Sequence, residues 1–416
     1  MLRYLEYIVL MCLISACSVY HQKQSVKYEA IADAYLSTSQ YANAIKYYQK
    51  AFYYRNEPLI AFKLGESYWL NRDFEKAEAS FSPYIVTYQN DPKNCKRYAE
   101  LAMCNANYDI AKVWWKKYGT LTNINIETKL QACDSAVKWL QNPNFKYSIY
   151  EQQELNTKYS EISPAFYPNG LVMASSRPGV FFEKESGSTG EPYFDLYISK
   201  IGENFVFSKP KFLSMAINTP EHETSAIFDS SGTIVYYTRG ETDTTNALKI
   251  KILQSEKKTI SWTTPKQFVL NDSTASFGQP FMNKKGNVFV FSSNIPGGFG
   301  GTDLYISFKK GNSWTKPENL GPIINTSENE YYPFLTPNGD LYFTSDGHIG
   351  MGGYDLFVAR FTPQGWVKVD NLKAPINSPF DDLSIIVDVD HRLGYFASNR
   401  KGGKGKEDIY RFTFTE

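Results

Sequence analysis

From residue 164 to the C-terminus, hydrophobic and polar positions alternate in short runs that repeat five times. In each unit an apolar strand leads through a turn to an aromatic strand ending in Ser or Thr, and a later stretch closes on Asp-Leu-Tyr or a relative. Three copies are clear: Phe166–Arg177 with Phe194–Tyr197, Phe281–Ser293 with Thr302–Tyr305, and Phe334–Ser345 with Tyr354–Phe357. Two are looser: Ile227–Thr238 with Ala247-Leu-Lys-Ile250, and Ile385–Ser398 with Asp408-Ile-Tyr410. Counted from Pro164, Ala226, Pro280, Pro333 and Leu383, the spacings are 62, 54, 53 and 50 residues, enough for four short strands and their hairpin turns. Repetition at this period predicts an array of equivalent units.

A fourth strand is expected in four units, at Phe207–Phe212, Trp262–Lys266, Trp314–Glu318 and Trp366–Asp370. Proline inside the first three restricts them to a sheet edge, so each is the outermost strand of its unit. The fifth unit lacks this element. Phe145–Tyr150, ahead of the first unit, supplies it if the two ends of the array pair, which removes two open strand edges. Residues 144–416 therefore read as a five-bladed β-propeller closed by an N-terminal strand. The motifs resemble the PD40 or TolB-like propeller repeat, whose Asp corresponds to Asp195, Asp303, Asp355 and Asp408; the second copy departs from it at Ala247–Ile250.

The N-terminal third has a helical period. Ala32, Gly65 and Ala99 share one slot; Tyr41, Phe74 and Tyr108 share a second; Ala44, Ala77 and Ala111 a third; Tyr48, Phe81 and Trp115 a fourth, all at 33 to 34 residues. Small residues at helix crossings with aromatics one turn away resemble tetratricopeptide repeats, three of them over residues 26–120. An amphipathic stretch at Ile126–Leu140 predicts a capping helix, placing the cap and linker at 121–143, and Asn142-Pro-Asn144 ends it. The fold class is thus multidomain, helical repeats followed by an all-β propeller.

Tyr7–Ala16 is mostly apolar and ends in Ile14-Ser15-Ala16-Cys17, which resembles a bacterial lipobox. Residues 1–16 then form a signal peptide, Cys17 is the acylated first residue of the mature chain, and 17–25 is a tether. The apolar stretch is too short to span a bilayer, whereas acylation anchors a protein. With 44 basic and 43 acidic residues there is no global field for nucleic acid. Cys95, Cys104 and Cys133 stay in the mature chain, as buried thiols or with one disulfide.

Little catalytic chemistry is suggested. Gly297–Gly301 has no helix after it to make a phosphate loop, and glycines at 350, 352 and 353 and at 402, 403 and 405 mark the same place in later units, so a turn is expected. The repeated Asp reads as a local acceptor for backbone N–H groups rather than a ring of metal ligands. The four histidines lack metal-site spacing, and neither a metal nor another cofactor is implied. Glu223 and Glu330, each just before a first strand, are the candidates for the paired acids of a glycosidase. For partner binding, the Tyr41, Tyr68 and Tyr108 side of the helical stack is expected.

The order of lipobox, tetratricopeptide repeats, the helix containing Ala132-Cys-Asp-Ser-Ala-Val-Lys-Trp-Leu140 and a PD40 propeller resembles the PorE-like envelope lipoproteins of Bacteroidota. That resemblance implies a non-enzymatic scaffold at the periplasmic face of the outer membrane, with a PorP/SprF-type β-barrel and other envelope lipoproteins as partners, in type IX secretion or gliding. Such proteins commonly continue into an OmpA-like domain. This sequence ends at Glu416 without one, so peptidoglycan binding is not carried over. Ser18–Gln24 has no acidic residue, which agrees with the periplasmic leaflet. A propeller lipoprotein binding a glycan or small ligand is the alternative, and a glycosidase is a second.

Overall fold

A computed structural model describes residues 2–179, 185–242, 248–272 and 274–415, with the side chains of 2–15, 241, 242 and 248 left aside. Ala247 of the second copy, Met1 and Glu416 therefore lie outside the described residues. The chain forms seven N-terminal helices followed by a five-bladed β-propeller. It divides into two compact units, one of residues 1–102, 113–124 and 185–190, the other of 103–112, 125–184 and 191–416.

The helices are α1 (Leu2–Ser37), α2 (Tyr41–Tyr54), α3 (Pro58–Leu70), α4 (Phe74–Phe81), α5 (Pro92–Cys104), α6 (Tyr108–Thr122) and α7 (Glu127–Gln141). Tyr41, Phe74 and Tyr108 open α2, α4 and α6, as the repeat requires. Every small slot is closed: Ala32, Ala44, Ala77, Ala99 and Ala111 are fully buried, and a Cβ at Gly65 would lie 3.0 Å from the Phe81 ring. The turn inside each repeat carries one left-handed residue in the same place, Ser39, Arg72 and Ala106, with φ of 58°, 62° and 59°. Residues 17–25, expected as a tether, are helical and continue α1. Among the described residues no helix is long and apolar enough to cross a membrane.

Each blade is an antiparallel sheet whose innermost strands are Glu161–Tyr167, His222–Phe228, Phe277–Met282, Glu330–Leu335 and Asp382–Asp388. All five carry a bulge at one register, with left-handed Ser163, Ser225, Gln279, Tyr332 and Ser384 at its centre. This bulge gives the structural alignment of the repeats. Ile385 takes the position of Pro164, not Leu383, so the last spacing is 52; without a proline in the fifth copy the sequence had no marker for it.

The outer strands show what proline does to an edge. In blades 1 to 3, Pro210, Pro265 and Pro317 confine the outer element to two-residue pieces such as Lys211–Phe212, Lys266–Gln267 and Glu318–Asn319. In blade 4 Val369 replaces the proline, and Gly365–Asn371 forms one seven-residue strand against Asp355–Thr362, with a single bulge. Tyr147–Glu151 completes blade 5, antiparallel to Asp408–Phe414, from Tyr147 opposite Phe414 to Glu151 opposite Tyr410. The N-terminal strand closes the ring.

A motif that the sequence reading passed over holds neighbouring blades together. Leu/Ile-Asn followed by Thr, Ser or Asp occurs five times, at 155–157, 217–219, 270–272, 324–326 and 376–378. Each asparagine clamps one backbone residue on a third strand. Asn218 accepts the Leu196 N–H at 2.9 Å and donates to its carbonyl at 3.0 Å, and Asn325 does the same to Leu304, Asn377 to Leu356 and Asn271 to Ile252. Asn156 clamps Ile409 of the last blade from a position 253 residues earlier, at 2.8 and 3.0 Å. Removing it leaves the N–H of fully buried Ile409 without its acceptor. Asn156→Ala is expected to lower stability by about 2–3 kcal/mol, through two lost hydrogen bonds and one unmet donor; urea unfolding measures this.

Candidate functional site

After four of these five asparagines the next residue reaches the following blade; Asp272, after Asn271, instead accepts from Thr274 in its own loop. Thr157 donates its backbone N–H and hydroxyl to Glu161 at 2.7 and 2.8 Å, Thr219 to Glu223 at 3.0 and 2.6 Å, and Thr326 to Glu330 at 2.9 and 2.7 Å. Ser378 does this for Asp382. All four carboxylates are fully buried at the start of an inner strand, Glu161, Glu330 and Asp382 at its first residue and Glu223 at its second. Blade 3 has Phe277 at that position, and its preceding loop is one residue longer.

An arginine meets three of the acids. Arg177 reaches Glu161 at 3.1 Å, Arg239 reaches Glu223 at 2.8 Å, and Arg400 reaches Asp382. Each arginine also donates to the carbonyl just before the clamp asparagine, at Leu155, Ile217 and Ile376. Blade 4 has no such arginine: Ser345 donates to Glu330 at 2.8 Å, and His348 Nε2 takes the Ile324 carbonyl at 2.9 Å.

Glu223 and Glu330, the candidate glycosidase acids, therefore sit in separate blades, fully buried, each bound to groups of its own blade and of the segment leading into it. Burial pushes both above the ordinary carboxylate range, Glu330 to about 7, and the donated hydrogen bonds pull the other way. A carboxyl shifted by desolvation in a cleft is a catalytic signature; here the shift accompanies a packed joint.

The repeated aspartates cap the glycine turns. Asp303 accepts the Phe299 and Gly300 N–H groups at 2.6 and 3.0 Å, and Asp355 accepts that of Met351 at 2.7 Å. Asp408 accepts that of Gly405 at 3.1 Å. The turn lies so close that a Cβ at Gly298, Gly350 or Gly403 would fall 2.1, 2.2 or 2.0 Å from the carboxylate oxygen. Asp195 is buried at the same register of blade 1.

The three tyrosines expected to form one partner surface do not. Tyr41, half-buried, opens α2. Tyr68 is 8% exposed and accepts from Gln49 Nε2 at 2.6 Å. Tyr108 is 5% exposed and donates to the Met351 carbonyl at 2.7 Å, inside the second compact unit. Cys17 is exposed on α1, 3.7 Å from His21 Nε2; Cys95, Cys104 and Cys133 are buried, and none of them is in a disulfide among the described residues.

A different aromatic surface exists. Tyr35 stacks on Tyr47 at 5.5 Å and Tyr28 on Tyr54 at 5.8 Å, with Tyr28 bridging to Tyr47 at 6.1 Å and Tyr20 meeting Tyr54 at 6.3 Å. Lys50 lies over Tyr47 and Tyr28 at 5.0 and 5.5 Å. Tyr53 beside them is 81% exposed, and α2 contains no acidic residue. The signal was in the sequence, because Tyr28 and Tyr35, and Tyr47 and Tyr54, are each seven residues apart and so share a helix face. Ion pairs join the first helices of the repeats: Lys63 on α3 contacts Glu29 and Asp33 on α1 at 2.8 and 2.9 Å, and Glu66 on α3 faces Lys93 and Arg97 on α5 at 3.4 and 3.8 Å.

In the propeller channel the bulge residues and the prolines after them line a cavity of about 50 Å³, with Phe166, Phe281 and Phe334 among its walls. That is room for a few waters. Among the described residues no group of three or more His, Cys, Asp and Glu is placed to hold a metal.

Glu330 gives a pH signature. Its folded value, about 7, lies above the ordinary value of 4.5, so the stability it adds is complete below pH 4.5 and is lost as pH rises through 7. The stability of the unsubstituted protein relative to Glu330→Gln is expected to fall by on the order of 2–3 kcal/mol between pH 5 and 8. Denaturant unfolding of both proteins at the two pH values tests this; a constant difference contradicts it.

No family model matches the chain, and no curated protein matches it. Solved structures do. The first TPR of Spaghetti (RPAP3) bound to an HSP90 peptide is 17% identical, covering 28% of this chain and 94% of its own, with a TM-score of 0.25. A protein described as TolB from Agrobacterium tumefaciens is 12% identical over 65% of this chain and 98% of its own, with a TM-score of 0.36. An α-L-arabinofuranosidase from Lactobacillus brevis is 13% identical over 64% of this chain and 94% of its own, with a TM-score of 0.39. At these values the likenesses bear on neither the substrate nor the partner of this chain.

Proposed function

We propose that this chain is a non-enzymatic lipoprotein of the outer membrane, anchored through Cys17 and facing the periplasm, that acts as a protein-interaction scaffold in an envelope machine. Its partners in this reading are a PorP/SprF-type β-barrel and further lipoproteins of a type IX secretion or gliding apparatus, as the PorE-like order of segments implies. Nucleic acid is not a partner in this reading.

The observation that carries the scaffold reading is the half-exposed tyrosine ladder with Lys50 on α1 and α2. Tyrosine supplies large rigid contact area at low entropic cost and is enriched at binding hot spots. The burial of Glu223 and Glu330 supports it from the other side, since neither carboxylate meets solvent. A ligand-binding propeller would have to use one face of the disc, because the channel cavity is smaller than a sugar ring and its contacts require.

Purification of the tagged protein from native membranes in mild detergent, read by mass spectrometry, tests the assignment. An outer-membrane barrel with accessory lipoproteins is expected at stoichiometric yield, and the Tyr28→Ala, Tyr47→Ala double variant is expected to lose it at unchanged helical content. Recovery of the protein alone overturns the scaffold.

A further inference from the structure

The blade that closes the ring differs from its sisters in one buried contact. In blades 3 and 4 the outer strand places an asparagine beside the capping aspartate. Asn319, opposite Tyr305, donates to Asp303 at 2.8 Å; Asn371, opposite Phe357, donates to Asp355 at 3.5 Å. Blade 5 takes its outer strand from the N-terminal side of the propeller, and the residue opposite Tyr410 is Glu151. Asp408 precedes Tyr410 by two residues, so its side chain emerges on the same face of the sheet and is the diagonal neighbour of Glu151.

An acceptor thus stands where blades 3 and 4 have a donor. Asp408 is 1% exposed, and its Oδ1 is buried without a hydrogen-bond partner; Glu151 Oε1 is buried and equally without one. The surrounding charges do not neutralise them. Glu161 adds a further negative charge near Asp408, and Arg400, over the Tyr410 ring at 5.0 Å, donates to Asp382 and to the Pro375 and Ile376 carbonyls. Lys404 Nζ donates to the Gln153 carbonyl at 2.7 Å. Burial and these like charges raise the Asp408 carboxyl to about 6. Two buried carboxylates are held only when a cation or a proton joins them.

We propose that Glu151 Oε1 and Asp408 Oδ1 are the protein ligands of a hard divalent cation of the calcium class, which ties the first strand of the propeller to the last. Calcium takes carboxylate oxygens in flexible geometry, completes its shell with water, and binds weakly where few protein ligands contribute. The cation replaces the amide donor that blades 3 and 4 carry in the chain itself.

Thermal unfolding of the full chain after EDTA dialysis, with and without millimolar CaCl₂ at matched ionic strength, decides the matter when Glu151→Asn is run beside it. Calcium is expected to raise the Tm of the unsubstituted protein saturably, on the order of 3 °C, with one ion per chain by calorimetry. Glu151→Asn, which restores the sister blades' donor, is expected to ignore calcium and to melt above the unsubstituted protein in EDTA. Glu151→Gln repeats the calcium test if the asparagine variant does not fold. A Tm unmoved by calcium at neutral pH overturns the site, and so does an equal rise in the variant. Stability that instead responds to acid alone, and loses that response in Glu151→Asn, assigns the pair a proton in place of the cation.

Discussion

The propeller depends on a three-residue joint. In Leu/Ile-Asn-Thr/Ser the asparagine binds backbone of the blade behind, and the hydroxyl residue binds a buried carboxylate of the blade ahead. A blade alone has a regular sheet but two faces to cover; packing covers them with no preferred rotation. Hydrogen bonds that must be made in a dry interior select one arrangement, because the cost of missing them exceeds the gain from making them. The joint therefore fixes how successive blades are set, and aromatic packing such as Tyr236 on Phe289 at 5.5 Å fills the space so defined.

Variation among the joints shows which parts are interchangeable. Three blades pair the acid with arginine; in blade 4 His348 takes over the carbonyl, while Ser345 donates to the carboxylate as Ser175 does in blade 1. Blade 3 drops the acid for Phe277 and keeps the asparagine clamp. The clamp occurs in every blade; the charge does not. A buried ion pair is a costly way to join two sheets, and its replacement by a buried aromatic in one blade fits that balance. For function this means that an elevated carboxyl pKa marks a joint in this fold before it marks a catalyst.

The helical unit uses a different physics. Its repeats close through small residues that admit an aromatic from the next helix, and its exposed faces divide by chemistry. The first helices are bound by ion pairs, Glu29 and Asp33 of α1 among them, whereas the face that α1 shares with α2 carries stacked tyrosines and Lys50, and α2 itself has no acid. That division leaves the unit with aromatic surface that its own core does not use.

Much of this could be read from the residues. Four slots in register gave the helical repeats, since small residues at crossings have no substitute, and five copies of one strand pattern gave the blades. The closing strand followed from the missing outer strand of blade 5. What the sequence could not supply was the direction and company of individual side chains. Tyr108 stands in a slot that sequence assigns to the partner side, yet it is buried against a carbonyl 243 residues away. Glu223 and Glu330 each stand just before a first strand, and only the packed structure shows each closed into a joint of its own blade. Glu151 is an ordinary acidic residue in its own segment; it faces Asp408 because ring closure brings the two ends together. Period and composition are local and determine which elements form and in what number; which polar group is buried beside which is decided by contacts between distant parts of the chain, where desolvation sets the energy and local pattern carries no record of the partner.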